Sequence, residues 1–222
     1  MLLYYITGRS QFAGDEKTRR ERLLVKIAEA ARAGVDYIQL RERDLSTREL
    51  EVVAREAVKV VRAAQGRDDH APAGLTTRST RLLINSRIDV ALAVGADGVH
   101  LRSDDIAASD ARAIAEQANR AFVVAVSCHT VDEVHSAEAQ GADFAVFAPV
   151  FEKVIALQRR ESGVGALRQV CTGSMPVLAL GGVTLENARA CLQAGTAGIA
   201  AIRLFQEHDV AGTVLKLRNL SI

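Results

Sequence analysis

Little in this sequence marks a special class of protein. Its 222 residues contain only three cysteines, Cys128, Cys171 and Cys191, with no CxxC spacing. Three cannot all pair, and a reduced compartment is the simpler expectation, which points to the cytoplasm. No long hydrophobic run is present. The apolar opening Met1-Leu2-Leu3-Tyr4-Tyr5-Ile6 is too short for a signal core or a membrane span and reads as a strand. No strong charge bias exists either. Lys and Arg exceed Asp and Glu by one, so the overall field favours neither nucleic acid nor an anionic membrane and leaves room for a local cationic pocket.

What is present is a 49% hydrophobic, 25% charged chain that alternates between two periodicities. Short aliphatic runs at Leu2–Ile6, Tyr37–Leu40, Leu82–Ile84, Gly98–Leu101, Phe122–Val126, Phe144–Phe147, Val177–Leu180 and Gly198–Ile202 read as strands. They are nearly continuous in apolar character, as expected when both faces of a parallel sheet are covered. Between them lie amphipathic helical patterns, such as Leu23, Ile27, Ala30, Ala31 and then Leu50, Val53, Ala54, Ala57, Val58, Val61. Eight such units without a composition break predict one α/β domain over residues 1–222, a (β/α)8 TIM barrel. An open doubly wound sheet is the alternative. Gly34, Gly95, Gly141 and Gly195 each stand between a helix and the next strand, where a left-handed C-terminal cap suits glycine. The stretch from Gly66 to Thr80 is polar, without an apolar period, and reads as a surface loop.

Residues that follow the strands of a barrel converge on one mouth. After the second strand, alternation puts Gln39, Arg41 and Arg43 on one side, and two guanidiniums there suit a phosphate or pyrophosphate. The competing reading is a charged strand exit in which Glu42 pairs locally. Asn85-Ser86-Arg87 follow the third strand, and Arg102-Ser103-Asp104-Asp105 the fourth. A carboxylate there suits Mg²⁺ beside a pyrophosphate, or else caps the next helix, a role that fits Asp104 better than Asp105. Ser127-Cys128-His129 follow the fifth strand, with His129 as a candidate acid and base, and Thr130 with Glu133 as a capping box. Gly181-Gly182 after the seventh strand and Ile202-Arg203 after the eighth form the loop pair that often holds phosphate in barrels.

The segments YYITGR, GVDYIQLRERDLS, LLINSRIDVALAVGADGVHLRSDD, VAVSCHTVDEVHSAEAQGADFAVFAPVF and PVLALGGVTLENARACLQAGTAGIAAI together resemble the thiamine phosphate synthase and thiazole tautomerase family over nearly the whole chain. The resemblance implies a (β/α)8 barrel that joins hydroxymethylpyrimidine pyrophosphate to thiazole phosphate, releasing pyrophosphate with Mg²⁺ assistance. It implies a pyrimidine pyrophosphate site at Gln39, Arg41, Arg43, Asn85 and Ser127, a Mg²⁺ ligand at Asp105, and a thiazole phosphate site at Gly181, Gly182, Ile202 and Arg203. Its partners are small phosphorylated metabolites, with a homo-oligomer among the assemblies such proteins form.

Some positions depart from the synthase pattern. Ser86 replaces an aspartate, Gly8 follows Ile6-Thr7 where aspartate is usual, and Arg102-Ser103 replace Gly-Gln. The run from Pro149 to Ala156 lacks the Thr-x-Thr-Lys motif; Ala156 stands nearest the lysine position, and Lys153 or Arg159 is a substitute only on a different loop path. These losses weaken pyrophosphate ionisation. The tautomerase branch shares RER after strand two and Val150-Phe151-Glu152, and there a histidine at the His129 position moves a proton on thiazole phosphate. Three expectations therefore stand side by side: coupling, with His129 and Ser127 as catalytic residues; tautomerisation by His129; and binding of a phosphorylated precursor without turnover.

Overall fold

The computed structural model describes residues 1–66, 79–118, 121–151 and 163–220. Eight strands pair in sequence order into a closed parallel barrel. They are β1 (Leu2–Ile6), β2 (Tyr37–Leu40), β3 (Arg81–Asn85), β4 (Gly98–Leu101), β5 (Val123–Cys128), β6 (Phe144–Phe147), β7 (Val177–Ala179) and β8 (Gly198–Ala201). Closure is direct, since Tyr4 pairs with Tyr37 on one side and with Ala200 on the other. The open-sheet alternative is thereby excluded.

The helices are α1 (Glu16–Arg32), α2 (Thr47–Ala64), α3 (Ile88–Val94), α4 (Ala108–Gln117), α5 (Val131–Ala139), α6 (Gly163–Val170), α7 (Ala188–Gln193), α8 (Arg203–Gln206) and α9 (Val210–Arg218). Two apolar regions result from the period-two alternation of the strands. Leu3, Tyr5, Ile38, Leu40, Val99 and Leu101 face outward and meet the helices. Tyr4, Ile6, Leu83, Ala125, Val146 and Leu178 fill the barrel. The buried face of α2 is the one that the sequence period marks, Leu50, Val53, Ala54, Ala57, Val58 and Val61. Burying each Val or Leu of that face contributes about 1.5–3 kcal/mol. Ser46 and Glu49 close a capping box that sets where α2 starts.

Strand β5 runs to Cys128 rather than Val126, because Ser127 and Cys128 continue the ladder opposite Val146 and Phe147. Gly34, Gly95, Gly141 and Gly195 adopt φ of 79°, 74°, 75° and 102° at helix ends, as the cap reading requires. After α2, Gly66 is left-handed, while Thr80 is buried and donates its hydroxyl to the Val35 carbonyl at 2.6 Å. Residues 67–78 of the expected polar loop lie outside the described part.

One buried side chain fixes the first strand's exit against the last. Gln206 of α8 accepts from Tyr5 Oη at 3.1 Å and from Gly8 N at 3.2 Å, and donates to Gly8 O at 2.8 Å. This ties the end of α8, three residues after Arg203, to the exit of β1. Among the described residues no helix is long and apolar enough to cross a membrane.

Candidate active site

Inward-facing polar side chains at the C-terminal strand ends form two short chains. In the first, Gln39 Nε2 donates to Asn85 Oδ1 at 2.8 Å, and Asn85 Nδ2 donates to Ser86 Oγ at 3.0 Å. Ser86 has φ of 60°, a left-handed conformation rare for a residue other than glycine, and its N–H is held by the His100 carbonyl at 2.8 Å. In the second, Tyr4 Oη lies 2.8 Å from His100 Nδ1, and His100 Nε2 lies 2.7 Å from Ser127 Oγ. Burial, and then the charge of Arg41, pull the His100 pKa down to about 3, so its imidazole is neutral.

Glu42 does not pair with the arginines on either side of it. It turns into the barrel wall, where it accepts from Thr7 Oγ1 at 2.6 Å, Arg9 N at 3.0 Å and Arg9 Nη1 at 3.2 Å. Burial holds its carboxyl above the usual range against these bonds. The local pairing expected at this strand exit is thus replaced by a contact with the exit of β1. Arg41 is half-buried, and burial followed by repulsion from Arg43 lowers its pKa. Arg43 is exposed. Among the described residues neither forms an ion pair, so both remain available to an anion.

Asp105 caps no helix. The residue before α4 is Ala107, without a side-chain cap, and Asp104 is exposed and 3.4 Å from Arg102 Nε. The capping role expected for Asp104 fails because the cap position, Ala107, lies three residues beyond it. Asp105 Oδ2 accepts from Arg102 N at 2.7 Å, and Oδ1 accepts from Arg102 Nη2 at 3.1 Å and Nε at 3.3 Å. Burial pushes its pKa up, but hydrogen bonds from Ser86 and Arg102 outweigh this and hold the carboxyl below its ordinary range.

On the opposite side of the mouth, Gly181 and Gly182 have φ of 99° and 65°. A Cβ on Gly181 would lie 2.9 Å from Pro149 Cα, and one on Gly182 only 2.5 Å from the Phe151 carbonyl oxygen. The exit of β6 therefore packs onto this loop, with Val150 N bonded to Leu180 O and Phe151 N to Gly181 O, both at 2.9 Å. Asn187 ties the other end by donating to Gly182 O at 2.9 Å and accepting from Thr184 N at 2.8 Å. A cavity of about 690 Å³ opens here, lined by Gly181, Gly182, Val183, Ile202, Arg203 and Lys216 among others. All four residues expected to hold phosphate thus share one concavity.

His129 is exposed beside the same β6 exit, its Nδ1 2.7 Å from the Ala148 carbonyl oxygen. A carbonyl only accepts, so Nδ1 carries a proton, and in the neutral imidazole it is Nε2 that presents the lone pair. Thr130 accepts from Glu133 N at 3.2 Å as the expected cap, whereas Glu133 Oε2 reaches the His129 N–H, one residue before the cap. The three thiols are no rivals as nucleophiles. Burial raises Cys128 to about 12, and Cys171 and Cys191 to about 11. Lys153, Ala156 and Arg159 lie outside the described residues.

Sequence reading missed Tyr4, His100 and Arg9. For His100 a signal existed: alternation with outward Val99 and Leu101 turns it into the barrel. For Arg9, beyond the end of β1, no local pattern foretold burial.

Comparison with known proteins shows the family. Residues 3–205 match the family described as thiamine monophosphate synthase. The thiamine-phosphate synthase of Halalkalibacterium halodurans is 35% identical over 218 residues, covering 95% of this chain and 90% of its own. That of Methanospirillum hungatei is 34% identical over 202 residues, covering 89% and 90%. A solved thiamine phosphate pyrophosphorylase from Pyrococcus furiosus superposes with a TM-score of 0.75 at 27% identity, covering 98% of this chain and 93% of that one.

Proposed function

The chain belongs to the thiamine monophosphate synthase family, and on that premise we propose that it is a transferase of thiamine biosynthesis, joining hydroxymethylpyrimidine pyrophosphate to thiazole phosphate and releasing pyrophosphate. The observation that carries this reading is the division of one mouth into two differently equipped halves. Gln39, Asn85 and Ser127 with Arg41 and Arg43 suit a polar heterocycle bearing an anionic group, and Gly181, Gly182, Ile202 and Arg203 suit a second phosphate. Two phosphorylated precursors need two such places.

In the coupling, the bond between the pyrimidine methylene carbon and the pyrophosphate oxygen breaks with its electrons on oxygen. The thiazole nitrogen then gives its lone pair to that carbon. The protein's task is to hold the two rings in line and to stabilise charge on the departing oxygen. Arg41 and Arg43 supply unpaired positive charge for this. His129 and Ser127 flank the reacting region as polar groups on neighbouring positions of one strand end.

The resemblance also implies Mg²⁺ at Asp105. Among the described residues no three acidic, histidine or cysteine side chains converge. Both oxygens of Asp105 are taken by Arg102, the neighbouring Asp104 is exposed and turned to the same guanidinium, and Ser86 stands where a second carboxylate would be. A guanidinium 3.1 Å away repels a dication, so this donor set does not fit a resident Mg²⁺.

A second reading, thiazole phosphate tautomerisation, is favoured by His129. Its free Nε2 is a base, and Ala148 and Pro149 link it to the glycine loop. Purified protein given both precursors, with and without Mg²⁺, distinguishes the readings. Formation of thiamine phosphate supports coupling, and its absence at high enzyme concentration sinks it. Isomerisation of thiazole phosphate that disappears in His129→Ala supports the second reading. Binding of thiazole phosphate without either turnover leaves a precursor-binding protein. A single domain over the whole chain and a cytoplasmic setting, as its cysteines suggest, complete the proposal.

A further inference from the structure

Tyr4, His100 and Ser127 come from β1, β4 and β5 and meet inside the barrel. The Tyr4 ring is fully buried among Tyr37, Phe144 and His100, with centroid distances of 6.0, 5.6 and 5.6 Å. Among the described residues its hydroxyl has one hydrogen-bond partner, His100 Nδ1. A phenol hydroxyl in an apolar interior must give its proton to an acceptor or leave a donor unmet. Nδ1 is the acceptor at hand. The imidazole proton must then sit on Nε2, from which it is donated to Ser127 Oγ. The opposite tautomer would point Nδ1–H at the phenol oxygen and strand the phenol proton. A doubly protonated ring would do the same and add a buried charge.

The consequence falls on Ser127, which is half-exposed at the end of the chain. With an oxygen lone pair engaged by Nε2–H, its own proton has no taker among the described residues and is free for a ligand. We propose that Tyr4 is a positioning residue that fixes the His100 tautomer and thereby makes Ser127 a hydrogen-bond donor, so that the ligand seated there must present an acceptor, such as the ring nitrogen of a neutral heterocycle. The inference rests on the mouth taking a precursor ring, but the tautomer itself does not. Without Tyr4 the imidazole is free to turn its Nε2 lone pair to Ser127 and draw the hydroxyl proton inward. The same site would then favour a donor over an acceptor.

The test is nitrogen NMR on the full chain with ¹⁵N-labelled histidine, with the His100 signals assigned through His100→Gln. The proposal expects a bare Nδ1 and a protonated Nε2 in the free protein across the neutral range. Tyr4→Phe should mix the two tautomers. Binding of free hydroxymethylpyrimidine should weaken about tenfold in Tyr4→Phe and Ser127→Ala, about one hydrogen bond's worth. Binding of inorganic pyrophosphate should be unchanged in both. A benzene analogue lacking the ring nitrogens should bind the wild type and both variants alike.

A proton on Nδ1 in the wild type overturns the proposal. So does a tautomer shift in Tyr4→Phe that leaves hydroxymethylpyrimidine binding intact. Should Tyr4→Phe fail to fold, the wild-type spectrum and Ser127→Ala decide the matter. If the wild type binds neither hydroxymethylpyrimidine nor pyrophosphate, the functional reading is what fails, and the imidazole signals still decide the tautomer.

Discussion

Arg102 and Asp105 face each other on the rim of the barrel mouth, with Nη2 3.1 Å from Oδ1 and the Arg102 N–H 2.7 Å from Oδ2. The carboxylate expected to hold a dication instead holds a guanidinium from its own turn. An anion arriving here finds that guanidinium shared with Asp104 and Asp105, while Arg41 and Arg43, without ion pairs among the described residues, supply positive charge that needs no metal. Binding of inorganic pyrophosphate should therefore change less than threefold when EDTA replaces Mg²⁺. Arg102→Gln should weaken it about tenfold in EDTA, the scale of one charge-assisted hydrogen bond. Removing the guanidinium also frees Asp105, so Mg²⁺ should restore part of the loss in that variant alone. Titration calorimetry reads all three, and tight Mg²⁺ dependence in the wild type would refute the argument.

Gly182 should be intolerant of any side chain. Its φ of 65° costs an L-residue about 1 kcal/mol, and a Cβ would meet the Phe151 carbonyl oxygen at 2.5 Å. Gly182→Ala must push the β6 exit away from the loop and so open the cradle. Affinity for thiazole phosphate should fall at least tenfold with a modest loss of thermal stability. Gly34→Ala offers a control: it also has positive φ, at 79°, but a Cβ there meets nothing within 4 Å, and it is remote from the mouth. An unchanged affinity in Gly182→Ala would show that phosphate does not sit there.

The barrel was legible because its strands are covered on both sides. Uninterrupted aliphatic runs such as Gly98–Leu101 and Phe144–Phe147 begin and end where the ladder does. That Gly181, Gly182, Ile202 and Arg203 share one concavity was legible as well, because residues at consecutive strand ends need only chain order to be placed. What stayed hidden depends on partners far apart in sequence. Glu42 looked as if it belonged to Arg41 and Arg43, yet its partner Arg9 lies 33 residues earlier. Tyr4 and His100 are 96 residues apart. Asp104 failed as a cap for a smaller reason: a turn closed by Arg102 and Asp105 delays the helix, and no propensity reports such a turn.

His100 also makes stability depend on pH in a definite direction. Its pKa falls from 6.5 in the open chain to about 3 in the fold, where burial is the main cause and the Arg41 charge the next. Above pH 6.5 neither state holds the proton and the group contributes nothing. Below it the unfolded chain gains a proton that the folded one refuses, so stability falls as pH drops from 6.5 towards 3. The slope approaches about 1.4 kcal/mol per pH unit. Urea denaturation at pH 6.5, 5.5 and 4.5 should show this component in the wild type and lose it in His100→Gln, whatever the offset between the two proteins. Parallel slopes would mean that His100 is protonated inside the barrel.

The strongest stability effect should come from Arg9. Its side chain is 4% exposed and meets three carboxylates, Glu16 at 2.6 Å, Asp44 at 2.7 Å and Glu42 at 3.2 Å. Of these only Glu42, at 2% exposure, is itself buried, so removing Arg9 strands one charge and merely exposes the other two. Arg9→Met should therefore cost about 3–5 kcal/mol at pH 8, and adding Glu42→Gln should recover a large part of it. The pH dependence has a fixed sign. Burial raises the Glu42 pKa in the fold, so a neutral Glu42 favours folding at low pH, and that advantage is lost as pH rises through the folded value. Without Arg9 this value climbs further, and the deficit of Arg9→Met should shrink between pH 8 and pH 5. In the double variant it should not. An Arg9→Met deficit below about 1 kcal/mol, the level of an exposed pair, would mean that Glu42 finds water or another partner, and that the exits of β1 and β2 are not held together by this contact.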